Sequence, residues 1–504
     1  MSKDHKELVN KALTMFLFMC NLSFNLVNNY YFKFFLKTLH SGYSAPSSWT
    51  FANPLLDQAY ETCKAKVDRV IATAQYLNFF VDESTDITDC WISNINVGML
   101  REIFHSASEH IEASSMTAEE NVAWIMHHID HVVQENWEKV NALTTNTCNT
   151  MQKIWKLLAQ QNQLSHVLFI LCDSHSLQLA LKDLLEPKKS WSGQSTSPLT
   201  EIQQIYKIAK AIVAFFQKAP LQLTILQIKQ ISQYSKHKSL IAAAITQWGT
   251  SYGVVKSLQN SYTALHDWTF DARAKSKNNR QHRDIKTDIR FSSFCMRLND
   301  LVKIIKSIHE AQKTSEASEA HLDQVVSQWS TVESALWKVH SQISSELQIE
   351  LYNFLTGPWL TRKQTQLAPV HYLAYYLTPV YHDQQITREM QHLLKTELVQ
   401  YLGDKKARNA SRLFYEFQQQ LGEFCNRRWT PLPLRQKGYA QWSAARSFAS
   451  THYIAKLVRA CNNYSPLKGW LRATTRTSHA TAPHCAMPAL QLYSRSPQGR
   501  HLAT

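Results

Sequence analysis

A chain of 504 residues with 44% hydrophobic residues carries enough apolar material for a core in each of two or three domains, which excludes a wholly disordered protein. Lysine and arginine exceed aspartate and glutamate by 54 − 39 = 15 and the pI is near 9.3, so the favoured partners are polyanions, either nucleic acid or an anionic membrane surface. Nine cysteines with no C-x-x-C pair and no zinc-finger spacing argue against a disulfide framework. The absence of G-x-G-x-x-G, a Walker loop, a nucleophile elbow or H-E-x-x-H removes support for nucleotide-dependent and hydrolase readings.

From Asn10 to Thr73 apolar residues recur at three- and four-residue intervals and predict helices, with a loop over 41–48. The run Ala12–Cys20, behind Lys3, Lys6 and Lys11, resembles a signal-peptide core. Asn21, Asn25, Asn28 and Asn29 interrupt it, however, and no small-residue cleavage pattern follows, so an amphipathic helix packed on the next domain is expected. Tyr76–Val81 reads as a strand with Trp91–Leu100 as its hairpin partner, which puts Asp82 at a strand end. Thr117–Gln134 reads as a helix, Val140–Thr144 as a second central strand and Thr147–Gln160 as the helix after it. His166–Leu171 is a third apolar run, and Ser174–Leu185 is helical again. This alternation argues an α/β layer with a largely buried sheet. Residues 187–198 read as a linker, after which helical periodicity dominates to about Gln420. Within it the basic run Arg273–Arg283 has no apolar period and is expected to be a solvated loop, a grip on phosphates being the alternative. His127, His128 and His131 lack an acidic or cysteine partner and read as a solvated helix face. From Phe424 to Thr504 there is no acidic residue, and the last thirty or so residues show no period and are expected to be a disordered basic tail.

Phosphodiester transfer by two metal ions needs several carboxylates converging on one point, to ligate the cations and offset their charge. Asp82 at a strand end suits one such role. The set Phe79–Asp86, Thr145–Met151, Cys172–Asp183 and Thr246–Tyr252, followed by His371–Pro379, resembles the hAT family of DNA transposases in order and spacing over about Phe32 to Pro379. The family carries T-D-x-x-x-x-M, then C-x-x-H-x-L-x-L, then T-R-W-[NG]-S, then A-x-L-L-D-P. The resemblance implies an RNase H-like core with acids at the ends of its first and fourth strands and on a late helix, and Mg²⁺-dependent DNA cleavage.

The departures bear on that chemistry. Asn146 stands where the family has its second Asp, and an amide supplies a neutral oxygen but no charge. The stretch Asn463–Trp470 is the nearest match to the family's N-S-V-x-S-E-R, with Lys468 in place of the third acid. Asp82 alone is left as a metal ligand, so no tightly bound Mg²⁺ is expected. By the same resemblance His175 lies near DNA, with Cys172 beside it as a further candidate contact, although C-x-x-H supplies only two positions of a zinc site and a buried thiol with a packing His is the other reading. Trp248 matches the residue that stacks on a displaced base, with a core Trp as the alternative and Gln247 where the family has Arg. Lys275, Lys277, Arg280 and Arg283 are the candidate phosphate contacts. The family's BED-type zinc finger has no counterpart here, so weakened sequence-specific end recognition is expected.

The expected fold is α/β, an RNase H-like mixed-sheet core interrupted by a long all-α insertion domain. Its expected divisions are an N-terminal helical segment over 1–73, the first part of the core over 74–186, the insertion over 187–423, a degraded remnant of the core and dimerisation region over 424–475, and the tail over 476–504. The expected function is that of a catalytically inactive, nuclear DNA-binding protein derived from a hAT transposase. It would form a homo-oligomer if the dimerisation region survives, and no membrane is expected as partner. The alternatives are an active nuclease with a substitute acid, for which Glu416 and Glu423 are the nearby candidates, and a protein-interaction module built on the helical insertion.

Overall fold

The computed structural model of the chain describes residues 1–85, 90–99, 102–110, 117–146, 149–187, 199–243, 249–274, 280–291, 293–317, 320–377, 381, 385–402, 408, 411–412 and 414–416. They divide into two compact units, one over Met1–Ile170 and one beginning at Leu171.

The first unit opens with α1 (Lys3–Met19), capped by the Ser2 hydroxyl, which accepts from the His5 amide. The helix α2 (Tyr30–Leu39) follows, capped by Asn29 Oδ1, which accepts from the amides of Tyr31 and Phe32. The short α3 (Ser48–Thr50) leads through a π-helical turn containing Pro54 into α4 (Leu56–Thr73). Leu17, Val27 and Phe51 form a small core here, and Phe32 of α2 packs against it. The apolar run at the chain start therefore buries Leu17 and Phe18 as part of a helix within this body.

The sheet comprises β1 (Leu77–Thr85), β2 (Trp91–Met99), β3 (Glu102–His110), β4 (Val140–Thr145) and β5 (Leu168–Leu171), ordered 3-2-1-4-5. β1 pairs antiparallel with β2 and parallel with β4, and β2 pairs antiparallel with β3. Between β3 and β4 lies α5 (Ala118–Val133), and between β4 and β5 lies α6 (Asn149–Ala159). A parallel β1–β4 pair needs such a crossover, and α5 is nucleated by the capping box of Thr117 and Glu120. This mixed sheet is that of an α/β fold, accompanied by a large all-α region. The segment expected to close the core, 424–475, lies outside the described residues.

Leu77, Phe79 and Val81 of β1, Ile95 and Val97 of β2 and Leu143 of β4 share a core with Ile125 and Ile129 of α5 and Ile154 and Leu158 of α6. Each such side chain contributes about 1.5–3 kcal/mol on burial. Because strand side chains alternate, a one-residue slip would expose the whole set, so this face fixes the register. Gly98 on the other face is required by close approach, since a Cβ there would lie 2.7 Å from the Phe80 ring.

The strand expected to end at Val81 runs on to Thr85, because the hairpin with β2 continues to the pair Thr85 and Trp91. The strand β3 was not expected. Its residues Glu102, His105, Ser108, Glu109 and His110 are polar, and it is held as an edge by backbone pairing with β2.

The second unit is helical after the last residue of β5. It contains α7 (Asp173–Leu185), α8 (Glu201–Lys218), α9 (Pro220–Tyr234), α10 (Thr250–Phe270), α11 (Arg280–Arg290), α12 (Phe294–Ser315), α13 (Leu322–His340), α14 (Ser345–Phe354), α15 (Leu360–Gln366), α16 (Pro369–Leu377) and α17 (Arg388–Leu402). No single helix among the described residues is long and apolar enough to cross a membrane. The basic run differs from expectation at its end, where Arg280–Arg283 form the first turn of α11. His282, Ile285 and Ile289 supply the buried face, and the two isoleucines lie beyond the window that looked aperiodic. Gly249, just before α10, has φ +74°, and a Cβ there would also meet the His309 ring. Only residues that tolerate left-handed backbone suit that position.

Candidate functional site

The parallel pairing of β1 and β4 ends at Val81 and Thr145. Continued by one residue, the register brings Asp82 and Asn146 side by side, on strands about 4.8 Å apart. Both are buried, at 3% and 9% exposure. The turn carrying Asn146 is tied down by Thr145, whose hydroxyl donates to the Asn146 carbonyl (3.0 Å) and accepts from the Trp155 indole of α6 (2.8 Å). Below it, Asn141 donates to Asn78 across the two strands at 3.0 Å.

Asp82 lies on the sheet face opposite the apolar core, since it alternates with Phe79 and Val81. Its antiparallel partner is Asn94, and Asn94 pairs in turn with Ser108 of β3. Ser108 donates to Asn94 (2.5 Å) and lies 3.2 Å from His105 Nε2, while His105 Nδ1 lies 3.3 Å from Asn96 Oδ1. Burial pushes the His105 pKa down to about 4, so this imidazole is neutral at physiological pH. Glu83, beside Asp82 in sequence, points to the opposite face by strand alternation, and burial raises its pKa. None of Asn94, Asn96, His105 and Ser108 was singled out from the sequence, because the pairing that assembles them depends on the unexpected β3.

The resemblance implies Mg²⁺ here, and the donor set among the described residues does not fit it. Two dications at one site need shared anionic ligands, whereas Asp82 contributes one carboxylate and Asn146 a neutral amide. Among the described residues no group of three or more His, Cys, Asp or Glu is arranged to hold a metal ion. Lys468 and Glu423 lie outside the described residues, and Glu416 is engaged by Arg412 at 2.5 Å.

In the second unit, the start of α7 carries the C-x-x-H pair. Cys172 caps the helix and is 1% exposed, so its thiol does not reach a macromolecular ligand, while His175 is half-buried one turn on. Between them Asp173 is fully buried and serves as an anchor. Its Oδ1 accepts from the Trp329 indole (2.6 Å), and its Oδ2 accepts from Gln328 (3.0 Å) and from the Ser315 hydroxyl. Burial raises its pKa to about 6, with the Ser315 and Trp329 donors pulling the other way. Further down α7, Asp183 takes two hydrogen bonds from Arg362.

Arg280 and Arg283 stand exposed on the outer side of α11, Arg280 lying 3.9 Å from Asp284. At the start of the basic run Arg273 is paired with Asp271, which also holds Lys229. Arg290, at the other end of α11, donates to Thr269 and covers the Phe270 ring. Trp248, Lys275 and Lys277 lie outside the described residues. On α5, His127 and His131 are exposed and His128 packs edge-on against Trp124.

No protein-family model matches the chain, and no curated protein matches it. Among solved structures it is similar to the Drosophila P element transposase strand transfer complex, at 9% identity and a TM-score of 0.25, covering 66% of this chain and 77% of that one.

Proposed function

We propose that this chain is a DNA-binding protein derived from a hAT transposase whose strand-cleavage chemistry has been lost. The observation that carries the reading is the register of β1 against β4, which sets an amide, Asn146, beside the buried Asp82. A site with one carboxylate binds dications weakly, so no tightly held Mg²⁺ is expected and the residues of this chain do no more there than position a neutral oxygen beside an acid. DNA as partner is supported by the net charge of +15 and by the exposed Arg280 and Arg283, with Lys275, Lys277, His175 and Trp248 as further proposed contacts. Nuclear residence and self-association follow only from the family resemblance and belong to the same proposal.

The test is cleavage of a branched DNA duplex with Mn²⁺ by the wild type, Asn146→Asp and Asp82→Ala, with binding followed across salt concentration. Duplex binding that weakens steeply with salt, without cleavage by the wild type, is expected. Cleavage by the wild type that disappears in Asp82→Ala would overturn the loss of chemistry, and salt-independent or absent binding would overturn the DNA reading. Asn146→Asp puts two carboxylates side by side, and Mn²⁺ should raise its melting temperature while leaving that of the wild type unchanged.

A further inference from the structure

The helix α2 has no buried residue. Phe32 packs on the small core of Leu17, Val27 and Phe51, and Leu36 lies half-covered on the same side. Beside them runs an arc of Tyr30, Phe34, Tyr31, Phe35 and Leu39 that also holds Thr38, with Tyr30 and Tyr31 at 72% and 77% exposure. At 100° per residue, Lys33 and Lys37 border this arc one turn apart, and neither has a carboxylate partner among the described residues. From Leu8 to Leu56 the chain contains no Asp or Glu.

We propose that the outer face of α2 is a stacking platform for unpaired single-stranded DNA, the aromatic rings taking bases and Lys33 and Lys37 taking phosphates. The inference rests on the DNA-binding reading above and adds to it a site and a strand state. Charge complementarity selects the occupant, because an acid-free segment edged by two exposed lysines favours a polyanion. A second copy docking through the same face would bring the same lysines and no carboxylate from this segment, setting like charge against like. A lipid leaflet is also anionic, but four of the five exposed apolar residues are aromatic and two of those carry hydroxyls, which suits flat π-faces better than insertion among acyl chains. Stacking on exposed rings is tolerant of sequence, since every base offers a face.

The experiment uses the full chain with a labelled oligothymidylate, a duplex of mixed sequence, and phosphatidylserine–phosphatidylcholine vesicles. Tyr31→Ala and Phe34→Ala should each weaken oligothymidylate binding by roughly five- to a hundredfold while changing duplex binding little. Phe34→Trp should retain it, and Lys33→Gln should flatten the salt dependence by about 0.7 in the log–log slope. These side chains are exposed, so the variants keep their fold and circular dichroism should match the wild type. Oligothymidylate binding indifferent to both alanine substitutions, or absent while duplex binding persists, overturns the platform and leaves the DNA reading standing. Loss of vesicle binding in the α2 variants with oligothymidylate binding unchanged overturns it in favour of a membrane surface. A wild type that binds neither DNA overturns both.

Discussion

Replacing Asp173 by Ala tests whether this carboxyl group is the anchor of α7 or a remnant of chemistry. A pKa raised from 3.8 to about 6 corresponds to roughly 3 kcal/mol of preference for the neutral acid in the folded state. That preference is fully present below pH 3.8, where the group is neutral folded and unfolded, and is lost as pH rises through about 6. In acid, Asp173→Ala leaves the buried Trp329 indole N–H without its acceptor and opens a small void, at a cost of about 3–4 kcal/mol. Ser315 and Gln328 are hurt less, since the Ser315 hydroxyl can turn to the Ala311 carbonyl, 3.2 Å away, and Gln328 already donates to that carbonyl. Near neutral pH the same substitution removes a buried anion whose burial already offsets most of its bonds, and the net cost falls to about 0–1 kcal/mol. Urea unfolding followed by circular dichroism at about pH 4 and about pH 7.5, wild type against variant, reads the difference directly. A gap that is constant with pH, or wider at neutral pH, would refute the buried-anchor account of Asp173.

His371 is fully buried, neither ring nitrogen meets a hydrogen-bond partner in good geometry among the described residues, and burial pushes its pKa from 6.5 down to about 4 against the pull of the Ala368 carbonyl. Its contribution is therefore intact above pH 6.5 and lost as pH falls towards 4, by roughly 3 kcal/mol. His371→Leu should stabilise by about 1 kcal/mol at neutral pH and by more in mild acid, checked by urea midpoints at the two values. Gly98→Ala, whose Cβ would meet the Phe80 ring at 2.7 Å, should destabilise by about 1–3 kcal/mol, and Phe80→Leu in the same chain should recover part of the loss.

What the sequence made legible follows the kind of signal each element carries. The strands β1, β4 and β5 stand out because their apolar runs are buried, and α5 because its buried residues, among them Val122, Ile125 and Ile129, recur at helical spacing. The strand β3 and the start of α11 do not, since polar residues occupy the one and the apolar positions of the other fall later in the chain. The neighbours Asp82 and Asn146 were identified one by one from motif position, while their adjacency needed the pairing of β1 with β4. The anchor role of Asp173 was out of reach, because Ser315, Gln328 and Trp329 lie 142 to 156 residues away along the chain.

The register of β1 against β4 is held by Phe79, Val81 and Leu143 on the apolar face, the face opposite to Asp82. Two carboxylates there would repel one another whenever no cation lay between them, so an amide in their place relaxes the folded state. On the reading proposed above, drift and thermodynamics push in the same direction once cleavage ceases to be selected, and an acid at 146 could be shed with the apolar face of the sheet intact. On that reading the return path is short, since aspartate and asparagine codons differ at a single base and the pairing of β1 with β4 keeps position 146 beside Asp82.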